Sequence, residues 1–356
     1  MKKLNLAIIG QGRSGRSIHG AFLLSELNPY FNVKYVVDAY APAREYAENA
    51  YVGCKTFECY QELFDCKDID LVVNASYSQQ HYPITKDLLQ HGFNVLVEKP
   101  FARTRYECDE LIELAKEKNV LLAVFQQTLL SPYYLYAKDV IASGKLGRVR
   151  QISLRANGFF RRWDWQTLQK NCAGSLYNTG PHSIGQALGF LDFDPRTRVV
   201  YSELDSLMTS GDSDDYAKLI LKAPDKPLID LEVISSDAYN DFNIRIIGSR
   251  GTFQCTAGAY KMTYYVDEEN EARPVIEESL RDENATPLYC KENLVKHVEE
   301  GEIDRSRGDG RADLYEDIYY ALTEGKPMRV RPEMAAQVIS VISSVHADNP
   351  LPVKYI

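Results

Sequence analysis

The chain opens on a short apolar run that ends in glycine: Leu4–Gly10 reads LNLAIIG and continues as QGRSG. A β-branched strand that runs into Gly-x-Gly-x-x-Gly and then into a helix leaves few folds open. Gly10 is expected to make the tight turn. Gly12 would let a pyrophosphate approach the backbone, and Gly15 would let helix and strand pack closely. Arg13 and Ser14 lie between them, at a helix start whose free N–H groups attract phosphate charge.

Four further runs repeat the style of the first: Val33–Asp38, Asp70–Ser76, Phe93–Glu98 and Val120–Phe125. Nearly continuous apolar strands belong in a parallel sheet covered on both faces. Between them lie helical stretches such as Thr104–Asn119, which starts on a threonine cap and places Cys108, Leu111, Ile112 and Ala115 on one stripe. Strand–helix alternation at this spacing predicts right-handed βαβ units and a doubly wound α/β domain. Asp38 ends the second of these strands, where a carboxylate accepts hydrogen bonds from ribose hydroxyls and repels a 2′-phosphate. NAD is therefore expected in preference to NADP, although Arg44 nearby offers a partner for a phosphate.

The remaining numbers mostly exclude. A length of 356 residues suggests about two domains on a scale of roughly 150 residues each. The formal charge of −9 argues against nucleic acid or an anionic membrane surface as partner. No apolar stretch approaches the ~18 residues of a membrane span. Lys2 and Lys3 precede an apolar run too short for a signal peptide. The seven cysteines form no Cys-x-x-Cys pair, so no metal is expected, and reduced thiols in a cytoplasm are the plain expectation.

Three more segments complete a pattern: SYSQQH (Ser76–His81), EKP (Glu98–Pro100) and NTGPH (Asn178–His182). With the glycine loop, their order and spacing resemble the Gfo/Idh/MocA family of glucose–fructose oxidoreductase, inositol dehydrogenase and their relatives. The resemblance runs from the first strand to Gly248–Phe253, and more faintly to Arg331–Ile342. It implies a Rossmann domain followed by an α+β domain with a large open, mostly antiparallel sheet. We place the first at residues 1–125 and the second, for substrate binding and oligomerisation, at 126–356. It further implies oxidation of a sugar or polyol hydroxyl, or the reverse reduction, and dimers or tetramers built through the second sheet. Lys99 matches the family's catalytic lysine and His182 its catalytic histidine. Ser76 and Ser78 fall where relatives line the dinucleotide, His81 where their histidine sits, and Glu98 beside them at the strand end. Two positions depart from the pattern: Asn178 stands where relatives usually have aspartate, and Leu129 where they tend to have arginine.

The residues themselves suggest the chemistry. Oxidising an alcohol needs a group that takes the hydroxyl proton. A lysine titrates near 10.4 in water, and desolvation or a neighbouring cation lowers that value. Lys99 ends a strand at the carboxyl edge of the sheet, where doubly wound domains bind ligands. Pro181 suits the first turn of a helix, which sets Asn178 and His182 near its mouth, turned toward Lys99. An aspartate at 178 would hold Lys99 protonated; asparagine does not, so Lys99 should lose its proton more readily or His182 should carry more of the transfer. The run Phe159–Gln166 holds both tryptophans. On a strand, Trp163 and Trp165 would share a face and could stack on sugar, with Arg161 or Arg162 holding hydroxyls or an acid group; core or interface packing competes with that role. Tyr177 is a lesser pocket candidate.

From Pro132 the pattern changes. Tyr133–Gly147 suggests a helix closed by glycine, and six runs then alternate apolar and polar residues as in a sheet with one wet face. The segments 267–287 and 299–311 look like solvated loops. Two other functions fit the same fold: a glycosidase that oxidises and re-reduces its substrate on a retained NAD, and a non-catalytic ligand-sensing regulator.

Overall fold

The computed structural model describes residues 2–289 and 291–355. Its first sheet has six parallel strands, β1 (Leu4–Ile9), β2 (Phe31–Val37), β3 (Lys55–Phe57), β4 (Leu71–Asn74), β5 (Val95–Val97) and β6 (Leu122–Val124), in the order β3-β2-β1-β4-β5-β6. The order reverses between β1 and β4, which opens a crevice at their carboxyl ends. Leu6, Ile8, Leu71, Val73, Val95 and Leu96 are wholly buried, as strands covered on both faces require. The sixth strand, β3, has no counterpart among the five apolar runs. Its three residues, KTF, are partly exposed at the sheet edge and carry no run of hydrophobes.

After the glycine loop the chain forms a π-helical segment, Arg13–Gly20, that runs into α1 (Ala21–Leu23). The other helices of this half are α2 (Ala41–Ala50), α3 (His81–Gln90) and α4 (Arg105–Lys118). Helix α4 starts as expected: Thr104 Oγ1 accepts from Glu107 N at 3.2 Å, and Glu107 Oε2 accepts from Thr104 N at 3.0 Å, a reciprocal cap.

The second half holds α5 (Pro132–Ala142), α6 (Ser175–Asn178), α7 (Gly180–Phe190), α8 (Arg311–Glu324) and α9 (Pro332–Asp348) around an eight-stranded sheet. Its strands are β7 (Val149–Arg155), β8 (Arg198–Asp205), β9 (Tyr216–Lys222), β10 (Leu228–Ile234), β11 (Ile244–Gly248), β12 (Gly251–Cys255), β13 (Ala259–Tyr264) and β14 (His297–Glu302). The order is β14-β13-β12-β11-β7-β10-β9-β8, antiparallel except for β7 with β10. The expectation of a loop over 299–311 needs correction, because His297–Glu302 pairs with β13 as an edge strand. Its sequence, HVEEGE, is polar because one side of an edge strand meets water.

Two helices of the second half reach back to the first. Helix α9 packs on α4 and β6 as well as on α7 and β8. Tyr315 of α8 is wholly buried, stacks on Phe22 at 4.6 Å and donates to or accepts from His19 Nδ1 at 2.7 Å. The two sheets are thus joined by buried side chains, not by one linker. Removing the Tyr315 hydroxyl leaves a buried imidazole nitrogen unpaired. Tyr315→Phe should cost about 1–3 kcal/mol in chemical denaturation with m unchanged; an unaltered midpoint would show that the bond contributes nothing.

Candidate active site

The glycine loop has the geometry its spacing suggested. Gly10 has φ +91°, and a Cβ there would meet Ala75 O at 2.5 Å. A Cβ on Gly15 would meet Gly10 O at 1.8 Å, whereas one on Gly12 would meet nothing within 4 Å. Gly10 and Gly15 are therefore demanded by the protein's own packing, and Gly12 faces open space. The helix that follows has no side-chain cap, so its first N–H groups remain for an anion. Asp38 stands beside this loop: its carboxylate accepts from Gln11 N and Tyr40 N, at 2.7 and 2.8 Å. Arg44 is tied to the Asp38 and Ala39 carbonyls at 2.7 and 3.0 Å. These features fit an adenine dinucleotide, with Gly10–Gly15 around the phosphates and Asp38 at the ribose.

Across the crevice, Ser76 Oγ donates to Asn74 Oδ1 at 2.7 Å, and Ser78 opens a short helical turn. His81 and Glu98, assigned from sequence as dinucleotide contacts, are buried and bonded to the protein's own groups. The His81 ring is buried between the carbonyls of Pro100 and Ser76, at 2.7 and 3.2 Å, and burial lowers its pKa. It fastens the loops that would hold the ligand. Glu98 is also buried; one oxygen meets His19 Nε2 at 3.1 Å and the other accepts from Lys99 N at 3.0 Å. Although burial opposes its charge, the His19 contact, with Lys99 and His81 nearby, leaves its carboxyl at about 2, ionised at neutral pH. His19 was not anticipated from sequence, though it lies four residues beyond Gly15 on the same helix.

Lys99 lies at the rim. Its Nζ donates to the backbone carbonyl of Asn178 at 2.8 Å and to Asn178 Oδ1 at 3.2 Å. Burial pushes its pKa down, Glu98 opposes this, and Arg162 and Arg13 push it further down. Asn178 ends α6, and His182 lies in the first turn of α7, which Pro181 opens. Gln126 Nε2 donates to the Pro181 carbonyl at 2.9 Å, and the Thr128 hydroxyl meets His182 Nδ1 at 3.3 Å. Burial first and the Lys99 charge second hold the His182 imidazole far below its ordinary pKa, hence neutral at pH 7. The start of α6 is held by Asp214, whose carbonyl accepts from Ser175 N and whose Oδ2 accepts from Leu176 N at 2.7 Å.

The aromatic pocket needs correction. Residues 161–166 form a loop and the start of a short helical turn, not a strand, because Asp164 caps that turn through Gln166 N. Trp163 is 87% exposed and Arg161 is exposed. Trp165 meets the Tyr77 ring at 4.8 Å in a near-perpendicular contact that joins the two halves. Arg162 lines a small polar pocket with Phe160, Gln166, Asn178 and Asp214, whereas Arg161, Trp163 and Trp165 are not in its wall. Tyr177 points the other way: it stacks on His346 at 5.0 Å, donates to the Arg103 carbonyl at 2.9 Å and lines a separate cleft.

The fold and this crevice define a dinucleotide-binding oxidoreductase scaffold with a second, sheet-based domain. Family models agree: an oxidoreductase NAD-binding Rossmann fold matches residues 4–126, and the same family's C-terminal alpha/beta domain matches 138–347. An uncharacterized oxidoreductase of Schizosaccharomyces pombe is 31% identical over 261 residues, 71% of this chain and 70% of the relative. An NADP-dependent scyllo-inositol 2-dehydrogenase of Bacillus subtilis is 28% identical over 187 residues, 52% of this chain and 51% of that one. Among solved structures, GenD2 from gentamicin A biosynthesis, in complex with NAD, has a TM-score of 0.76 at 19% identity, covering 98% of this chain and 94% of that one. The chain belongs to the Gfo/Idh/MocA oxidoreductase family.

The glycine geometry separates two substitutions that look alike in sequence. Gly12→Ala should leave the thermal midpoint unchanged and weaken NAD binding about tenfold or more, read by quenching of Trp165 fluorescence, because only a ligand meets the new methyl. Gly15→Ala should lower the midpoint by several degrees on its own, as expected for a ~1–3 kcal/mol overpacking cost. Equal effects of the two would contradict this division of labour.

Proposed function

We propose that this protein oxidises a hydroxyl of a sugar or polyol, or reduces the corresponding ketone, with NAD as hydride carrier. The observation that carries this is the Lys99 amine at the rim of the crevice, desolvated and bonded to a neutral asparagine instead of an aspartate. A bound nicotinamide supplies hydride chemistry; the chain must handle the proton. Lys99 is suited to accept the hydroxyl proton, since burial and the neighbouring guanidinium groups favour its neutral form. His182, neutral and with Nδ1 occupied by Thr128, is suited to hold the same hydroxyl through its other nitrogen. Asn178 fixes the amine's direction without adding charge. The relatives named inositol dehydrogenases support the substrate class.

Asp38 supports NAD over NADP: its charge, kept in place by two backbone N–H groups, opposes a 2′-phosphate. We further assign self-association to the outer face of the second sheet and a reducing, cytoplasmic setting to the free thiols. No helix among the described residues is long and apolar enough to cross a membrane.

A panel of sugars and polyols with NAD, followed by absorbance of the reduced nucleotide, tests the activity; Lys99→Met should lower kcat by about 10²–10⁴-fold, the usual contribution of a positioned acid or base. Asn178→Asp places a carboxylate on the amine and raises its pKa, so the ascending limb of kcat/KM for oxidation should move to higher pH. An unmoved limb would remove Lys99 as the titrating base. For the cofactor, Asp38→Ser should narrow the preference for NAD over NADP by about tenfold or more, comparable to one lost like-charge contact; an unchanged ratio of kcat/KM values would mean that Asp38 does not discriminate.

A further inference from the structure

Three aspartates lie in the turn before β9, and one of them keeps a bare oxygen. Asp212 accepts from Gln169 N at one oxygen and from Lys354 N and Tyr355 N at the other. Asp215 accepts from Leu207 N and Met208 N, one at each oxygen. Asp214 is 2% exposed and engages only Oδ2, which accepts from Leu176 N at 2.7 Å. Its Oδ1 lies against Gly174, where a Cβ would come within 2.1 Å, and faces His346 Nε2 of α9 at 3.8 Å. Among the described residues neither Asp214 Oδ1 nor His346 Nε2 has a hydrogen-bond partner, and both atoms are sealed from solvent.

An ionised carboxylate only accepts hydrogen bonds, and so does an imidazole nitrogen without its proton. Facing each other in that state, the two atoms would both be buried and unsatisfied, a costly arrangement that one proton between them removes. Closing the gap to a hydrogen bond takes a movement of about 1 Å. Burial opposes charge on either partner. It pushes the Asp214 carboxyl up to about 7 against the pull of its backbone N–H bonds, with Asp215 adding to the rise. It also brings the His346 imidazole down to about 4, with Arg103 adding to the fall. The other titratable or charged neighbours are Arg162, in the polar pocket on the Asp214 side, and Lys170, Tyr177 and Tyr355, in the cleft on the His346 side. Among the described residues neither Arg103 nor Arg162 forms an ion pair with Asp214.

The pair touches α6 at two successive residues. Leu176 N is bonded to Asp214, and the Tyr177 ring stacks on His346 at 5.0 Å. The next residue is Asn178, whose two oxygens hold the Lys99 amine. We propose that Asp214 and His346 share one buried proton, carried on Asp214 Oδ1 and directed at His346 Nε2, and that Asp214 is thereby a positioning residue for Asn178 and the Lys99 amine. Its part in the chemistry rests on the assignment of that amine as the proton acceptor. With the proton in place, α6 is tied to α9 through both partners. As pH rises the proton leaves to solvent, Oδ1 carries charge opposite a nitrogen lone pair, the tie is lost, and Asn178 holds the amine less firmly.

The test titrates the full-length protein by infrared and NMR spectroscopy, with labels on the aspartate carboxyl carbons, the histidine ring nitrogens and the asparagine side-chain amides. The wild-type protein should show a protonated carboxyl that is absent from Asp214→Asn, with a midpoint well above the ~3.9 of an ordinary aspartate. The His346 Nε2 signal, and the Asn178 amide assigned through Asn178→Asp, should shift with that same midpoint. In Asp214→Asn the new amide can accept from Leu176 N and donate to His346 Nε2, so it mimics the protonated pair. That variant should fold, and both signals should stay at their wild-type low-pH positions as pH rises. If it fails to fold, His346→Gln decides: its N–H can serve the ionised carboxylate, so the Asp214 midpoint should fall, and an unmoved midpoint overturns the inference. The absence of a protonated carboxyl assignable to Asp214, separate midpoints for Asp214 and His346, or an Asn178 amide indifferent to both pH and Asp214→Asn overturns it equally. NAD reduction is scored apart: a shared proton in a protein that oxidises no sugar or polyol counts against the dehydrogenase function and leaves the pair standing.

Discussion

One contact joins the parts of this molecule that matter for chemistry: the Lys99 amine bonded to both oxygens of Asn178. Lys99 lies two residues beyond β5 of the first sheet, and Asn178 ends a helix packed against β9 and β10 of the second. Each half alone offers only a common element, a strand end or a helix end. Placed together they close a desolvated corner around an amine that meets no carboxylate in front of it. A buried amine facing neutral oxygens keeps its proton less firmly than one facing an aspartate. That difference follows from one side chain.

The corner holds its shape because charges behind it are settled. Glu98 is buried and ionised, which is costly unless hydrogen bonds compensate. His19 and the Lys99 N–H supply them, and Tyr315 of α8 holds the other ring nitrogen of His19. His81 does the same with backbone carbonyls on the other side. These groups fix where the amine and the phosphate loop stand relative to each other, and the α9 bridge between the sheets extends that fixity to the second half.

Much of this was legible in the sequence where a residue type has few alternatives. The turn at Gly10 and the close approach at Gly15 have one residue that fits, so the pattern predicts the geometry. Buried parallel strands announce themselves through runs such as Asp70–Ser76, and Thr104 marks a helix start. The failures share a cause. β3 and β14 are edge strands, whose exposed residues need no hydrophobic pattern. Trp163 and Trp165 sit in a turn closed by Asp164, and alternation at two residues says nothing once the chain is not extended. Tyr177 is adjacent to Asn178 in sequence, yet neighbours on a helix point in different directions. The bonds of Glu98 to His19 and of His81 to the Pro100 and Ser76 carbonyls depend on tertiary placement, which the strand-end motif does not announce. His19 and Tyr315 lie 296 positions apart, a pairing that no local pattern contains.

The central claim is that the Lys99 amine sits below the ordinary lysine range because the fold buries it against a neutral partner. Its titration can be observed directly by NMR of the ¹³Cε resonance in protein labelled at lysine, with Lys99→Arg to assign the signal. The account predicts a Lys99 midpoint clearly below the ~10.4 of a free lysine side chain, moving upward in Asn178→Asp. A midpoint at or above the ordinary value in the wild-type protein would contradict it.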